Sequence, residues 1–137
     1  MTSASRLEAE IRSIHAAVAL YEDAVHTANP ESFRAAFHPD TVLARPLVPG
    51  GPLVALSLDS YSRNAEELYD GAVPVLETTR KITVDVAGHV AIVRLDFSVD
   101  VGDESFAGTD FLNLAKIGGR WVVTYVIWDL TDQADDS

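Results

Sequence analysis

Residues 75–130 read VLETTRKITVDVAGHVAIVRLDFSVDVGDESFAGTDFLNLAKIGGRWVVTYVIWDL, and the period of this stretch decides the fold. Val84, Val86, Ala91, Val93, Leu95, Phe97 and Val99 fall on alternate positions. A period of two is the mark of a strand with one buried face. Ala87-Gly88, Gly102-Asp103 and Gly118-Gly119 interrupt the pattern as tight-turn pairs. The spacing therefore predicts four long strands, over about 75–86, 89–101, 104–117 and 120–130, folded as an antiparallel meander.

Upstream the period changes to that of helices. Ile11, Ile14, Val18, Tyr21 and Val25 recur three and four apart and share one helix face. Ala17, Ala24 and Ala28 keep that face thin, and Ser5 with Glu8 has capping-box spacing. Asn29-Pro30 starts a second helix as cap and first residue, with Phe33 and Phe37 as its stripe. His38-Pro39-Asp40 is expected to end it. A short strand over 41–45, a Pro/Gly-rich connection over 46–52 and a return strand over 53–56 follow. A third helix is expected from about Ser57 or Asp59, with Tyr61, Ala65, Leu68 and Tyr69 inward and Gly71 as its stop. The sum is an α+β domain. Three N-terminal helices pack on the concave face of a curved, cone-shaped antiparallel sheet. One domain spans residues 1–137, with a fraying acidic tail over 131–137.

Composition excludes several classes of function. The 137 residues hold 21 Asp and Glu against 10 Lys and Arg, a formal net charge of −11. A phosphate-backbone binder or an anionic-membrane binder needs the opposite sign, so neither nucleic acid nor membrane is an expected partner. With no cysteine, disulfides, thiolate metal sites and cysteine nucleophiles are excluded. No signal-like or membrane-spanning run stands out, so the expected location is the cytoplasm. No phosphate loop, Ser-His-Asp pattern or helix-borne zinc motif is present, and no cofactor is implied.

The order of elements carries a resemblance. YEDAVHTANPESFRAAFHPDTVL, residues 21–43, is similar to the opening of the nuclear-transport-factor-2-like superfamily, and GTDFLNLAKIGGRWVVTYVIWDL, residues 108–130, resembles its last hairpin. Within that superfamily the chain most resembles the subgroup named for lumazine binding. The resemblance implies a cone with a small-molecule pocket and a homodimer formed through the sheet. It does not imply one activity, because the fold hosts isomerases, cyclases, dehydratases, epoxide hydrolases and binders that catalyse nothing.

Tyr21 and Asp110 are the leading candidates for chemistry. By resemblance to ketosteroid-isomerase-like members, Tyr21 is the first-helix tyrosine and Asp110 the strand acid of an oxyanion hole. A phenol and a carboxylic acid kept neutral by an apolar cavity can both donate to an oxygen that gains charge. The plainer reading is a tyrosine closing the core and an acid bonding a neighbour. The general base of those isomerases corresponds in TVLARP to Arg45, which cannot abstract a proton. Arg45 is instead a holder of an anionic ligand group, a partner of Asp110, or a surface side chain at a strand edge. Trp128 is placed by resemblance near the mouth of the cone. Its spacing of seven from Trp121 puts the two indoles on opposite faces of the last strand.

The histidines offer less. His15, Glu22 and His26 lie along one helix side without metal-ligand spacing, and Glu22–His26 reads as a surface pair. His38 is expected to serve free carbonyls at a helix end, and His89 to be exposed beside a turn. The leading reading is a small-molecule-binding cone domain. Its pocket is lined by Tyr21, Arg45, Asp110 and Trp128, and its ligand is a small apolar or aromatic molecule. The alternatives are an isomerase-, cyclase- or dehydratase-like enzyme acting on a small cyclic ketone or polyketide through Tyr21 and Asp110, and a non-catalytic scaffold with a filled core.

Overall fold

The sheet order is β2-β1-β6-β5-β4-β3, built from β1 (Phe37–Pro46), β2 (Leu53–Ser57), β3 (Val75–Ala87), β4 (Val90–Val101), β5 (Glu104–Ile117) and β6 (Arg120–Thr131). Helices α1 (Ser3–Thr27), α2 (Pro30–Ala36) and α3 (Leu58–Tyr69) are the other elements among the described residues. The structure is a computed structural model and describes residues 3–47, 51–69 and 75–131. β3 to β6 form the expected antiparallel meander. The one join of another kind is β1 against β6, which run parallel, so the whole sheet is mixed.

The long strands begin and end within a residue or so of their expected positions. Upstream the differences are larger. α1 already runs from Ser3, so Ser5 lies inside the helix and not at its cap. It stops at Thr27 because Ala28 adopts a left-handed backbone, φ 58°, and returns its N–H to the Ala24 carbonyl at 2.9 Å. That is the usual glycine position of a helix end, here filled by alanine. α2 starts as read: Asn29 Oδ1 accepts from the Glu31 amide at 2.9 Å, and Pro30 follows. It ends earlier than read. Phe37 is already extended, so β1 takes in His38, Pro39 and Asp40. The inner-face residues expected at 65, 68 and 69, the stop at 71, and the tail after 131 lie outside what is described.

The core lies between α1 and the meander. Ile14, Val18, Val93, Leu95, Leu112, Val123 and Val126 are fully buried. Each such side chain contributes roughly 1.5–3 kcal/mol on leaving water. Small residues on α1, Ala17 and Ala24, let the helix approach the sheet closely.

Two irregularities in the ladder determine what faces inward. Between β5 and β6 the register slips at Asn113/Leu114, leaving Thr124 as an extra residue on β6. A bulge of this kind reverses the side-chain phase beyond it. Trp121 and Trp128 therefore both turn toward the core, which corrects the opposite-face expectation. Thr41, almost fully buried, closes this join by donating to the Val123 carbonyl at 2.8 Å. Between β3 and β4 the slip falls at Arg80, with Thr79 paired to Phe97 and Lys81 to Asp96. Ile82, Val84 and Val86 on one side of that slip, and Glu77 and Thr79 on the other, are the partly buried residues.

Gly108 is required where it stands. A Cβ there would lie 2.4 Å from Phe97 Cζ and 2.8 Å from the Asp129 carbonyl oxygen. The phenylalanine ring lies across the glycine, and the carbonyl cannot swing away without breaking the ladder. Gly108→Ala is expected to lower unfolding free energy by about 1–3 kcal/mol in urea titration. A neutral result there would mean that Phe97 and the β6 backbone give way freely.

Candidate functional site

One row of residues crosses the covered face of the sheet. By register Leu95 on β4 sits opposite Asp110 on β5, and Asp110 sits opposite Trp128 on β6. Arg45 from β1 continues the row, its guanidinium carbon 4.4 Å from the Trp128 ring centroid. Tyr21 reaches the row from α1 and donates its hydroxyl proton to Asp110 Oδ2 at 2.8 Å. The fold thus gathers all four residues singled out in the sequence. Tyr21 is 3% exposed and Asp110 4%. An edge-on contact with Phe37 holds the tyrosine ring, centroids 5.6 Å apart, and Phe37 in turn stacks on Phe33.

Of the roles open to Arg45, pairing with Asp110 is not the one adopted. The acid's partner is Tyr21, and no ion pair joins it to Arg45. Arg45 is half-buried and lies on Trp128, with its Nε donating to the Pro46 carbonyl at 3.2 Å. A cation over an indole face is held electrostatically, by about 0.5–2 kcal/mol.

Burial dominates the electrostatics. Loss of water pushes the Asp110 carboxyl up from its ordinary 3.8 to about 7, with the Tyr21 hydrogen bond and His26 opposing and Glu77 assisting. The same burial, together with the negative charge of Asp110, pushes the Tyr21 phenol well above 10. The phenol keeps its proton across all working pH, while the carboxyl changes state near neutrality.

A second polar pair went unread in the sequence. His26, one turn beyond Glu22 on α1, sits with Nε2 3.4 Å from Glu77 Oε2 on β3. At that distance the contact is an ion pair without a formed hydrogen bond, and the buried Nε2 has no hydrogen-bond partner. The Glu77 carboxylate raises the imidazole above its ordinary 6.5, against burial, and Glu22 and Asp110 add to the rise. Glu22 does not pair with His26 on the surface but accepts from the Thr79 hydroxyl on β3. Strict alternation counted back from Ile82 turns Glu77 and Thr79 outward, and only the slip at Arg80 brings them in. The one available signal was a pair of polar positions, Glu77 and Thr79, on a strand whose Arg80-Lys81 neighbours break the alternation.

The remaining histidines stand apart from the row. His15 and His89 are exposed. His38 Nδ1 accepts from the Asp40 amide at 3.1 Å, not serving the carbonyls expected of it. Among the described residues no group of three or more His, Asp or Glu is placed to hold a metal ion. No described helix is long and apolar enough to cross a membrane.

The state of Asp110 sets a pH dependence of stability. Its folded value of about 7 exceeds its unfolded value of 3.8, so the folded chain binds this proton more tightly. Unfolding free energy therefore falls as pH rises from about 4 to 7 and then levels, by a few kcal/mol in all. His26, also raised, acts in the same direction, its contribution being lost as pH passes through its folded value. Thermal melts between pH 5 and 8 are expected to show this decline in the wild type and much less of it in Asp110→Asn. Equal slopes in the two proteins would place the buried proton elsewhere.

No protein of curated function matches the sequence significantly. Solved structures do match in fold. A nuclear-transport-factor-2-like protein of unknown function from Silicibacter pomeroyi superposes with TM-score 0.69 at 19% identity, covering 96% of this chain and 100% of its own. A function-unknown protein from Mycobacterium tuberculosis gives TM-score 0.77 at 20% identity, covering 97% and 78%. A protein described as "Putative Scytalone Dehydratase" from Novosphingobium aromaticivorans gives 0.73 at 18%, covering 99% and 93%. These likenesses establish the cone fold and no activity. The family model described as "Putative lumazine-binding" matches residues 9–129, a span that holds the whole row from Tyr21 to Trp128, and the chain belongs to that family.

Proposed function

We propose that the covered face of the sheet is the wall of a pocket for a small, flat, mostly apolar molecule. The polar edge of that molecule meets Asp110, and any acidic group it carries meets Arg45. The observation that carries this reading is the isolated carboxyl of Asp110, buried among Leu95, Leu112 and Tyr21 and bonded to a single hydroxyl. Stability alone does not favour it, since a leucine there would remove a large desolvation cost. A buried acid that changes state near pH 7 is typical of sites that handle a ligand. Family membership supports a small-molecule ligand. The cation on Trp128 supports a bidentate place for a carboxylate or phenolate.

An enzymatic reading has its own support. A carboxyl poised near neutrality suits proton transfer, and a solved relative in fold is described as a dehydratase. It gives Tyr21 and Asp110 catalytic roles on a small cyclic ketone or polyketide.

Lumazine is a suitable first probe, read by tryptophan fluorescence and by thermal shift. Saturation at about a hundred times Kd is expected to add about 2.7 kcal/mol to stability. Asp110→Asn and Tyr21→Phe are each expected to weaken binding about ten-fold, or about 1.4 kcal/mol. Arg45→Gln is expected to matter chiefly for carboxylated analogues. A shift of equal size in wild type and the Tyr21/Asp110 double variant would place the ligand elsewhere.

The same reading includes a homodimer through the outer sheet face. Ile92, Phe111 and Ile127 are exposed there on three adjacent strands, with Arg94 5.7 Å from the Phe111 ring centroid. Three large apolar side chains in one patch support a covering partner. Phe111→Glu is expected to sediment as a monomer at a concentration where the wild type is dimeric. A wild type that is monomeric at tens of micromolar removes the dimer.

A further inference from the structure

Independently of the pocket reading, we propose that the His26–Glu77 pair is a proton-operated latch. It holds the last turn of α1 on the edge strand β3 while the imidazole is charged, and releases it when the charge is lost. The argument starts from the place of β3 in the sheet. It is the last strand, paired to β4 on one side and to no described strand on the other. Beyond the slip at Arg80, Ile82, Val84 and Val86 pack on the core. Over 76–79 the half-buried side chains are polar, Glu77 and Thr79, and both meet α1.

The two contacts are in register. Glu22 accepts from the Thr79 hydroxyl, and His26 Nε2 lies 3.4 Å from Glu77 Oε2. Four residues of helix rise about 6 Å, and two residues of strand about 6.6 Å. The end of α1 therefore runs antiparallel beside β3, and the ties fall on matching steps of both. Together they hold the outer edge of the sheet where the core does not.

Only one of the two ties depends on a proton near neutrality. The hydroxyl of Thr79 keeps its proton at every working pH. The imidazole does not, and its attraction to Glu77 needs the charge. Nε2 is buried, makes no hydrogen bond and faces a carboxylate. The His26 and Glu77 side chains are 25% and 17% exposed, so salt screens the pair only in part. The charged groups that face His26 are Glu77 on β3, Glu22 on α1 and Asp110 on β5, and all are acids. Arg80 and Lys81, the cations of β3, are exposed to solvent. Loss of the imidazole proton thus leaves carboxylates facing one another across the seam. Glu77 raises the imidazole above its ordinary 6.5, so the closed form binds the proton more tightly. Closure is complete in mild acid and is lost as pH rises through the raised value. Release uncovers one end of the covered face, since Glu77 is opposite Val99 on β4 and Val99 is opposite Phe106 on β5.

Hydrogen exchange by mass spectrometry on the full chain, at pH 6 and pH 9 and corrected for intrinsic amide rates, tests the latch. Amides of 76–79 and of the last turn of α1 are expected to lose about ten-fold or more of their protection at pH 9. The loss is expected to be insensitive to low urea, the sign of a local opening. Asp110→Asn is expected to keep it, which separates the latch from the titration of that carboxyl. Glu77→Gln is expected to be open at both pH values, and His26→Lys, with its lasting charge, closed at both. Imidazole NMR titration of the wild type reads the pair directly should Glu77→Gln not fold, and a His26 value above 6.5 is expected. No pH response at 76–79 in the wild type, or an equal one in Glu77→Gln, overturns the latch. So does a response that disappears in Asp110→Asn, or a His26 value at or below 6.5.

Discussion

The hydrogen bond from Tyr21 to Asp110 is the constraint around which the domain is arranged. It joins the C-terminal third of α1 to the middle of β5, and both ends are all but removed from water. A buried carboxyl tolerates few positions, because each unsatisfied lone pair costs free energy. The bond therefore fixes how α1 lies on the sheet, both along its axis and about it. Ile14 and Val18 then fall on the inner ends of the strands, and Glu22 and His26 face Thr79 and Glu77. The inward side of the helix is apolar at Ile14 and Val18, and over its last two turns Glu22 and His26 stand beside the buried Ala24 and Val25.

How the sequence exposes this arrangement varies from element to element. The meander was legible because four strands with a solvated face and tight turns leave a strict period of two. The α1 stripe was legible for the same reason at a period near 3.6. Asp110 stood out as the one acid among Phe106, Leu112 and Leu114 on an inward face. What escaped were features set by a single extra residue. The slip at Thr124 turned both indoles to one side, and the slip at Arg80 turned Glu77 inward. Bulges follow from the curvature of the whole sheet and leave almost no local mark. The parallel join of β1 to β6 is likewise a long-range choice, and no neighbour in sequence dictates it.

Charge is divided between the outside and the inside with little exchange between them. Among the described residues, Glu8, Asp23, Glu31 and Asp59 on helices and Asp103 and Glu104 at a hairpin tip are exposed, where they keep the protein dispersed. Glu10 is an example: it binds Lys116 at 2.8 Å and accepts from the Trp121 indole at 3.1 Å at the rim of the core. Around the row, by contrast, each charged group has a named neighbour of particular chemistry: Tyr21 for Asp110, Glu77 for His26, Trp128 for Arg45.

The slip at Arg80 has a consequence for how such a domain can change over generations. The half-buried residues of β3 after it, Ile82, Val84 and Val86, pack on the core, and those before it, Glu77 and Thr79, form a polar rim. A ladder of the same length without the slip would exchange the inward set Glu77 and Thr79 for Leu76, Thr78 and Arg80, leaving Ile82, Val84 and Val86 undisturbed. The placing of one unpaired residue thus decides which side chains form the rim. A scaffold with such a joint can present a different edge without having to rebuild the part that keeps it folded.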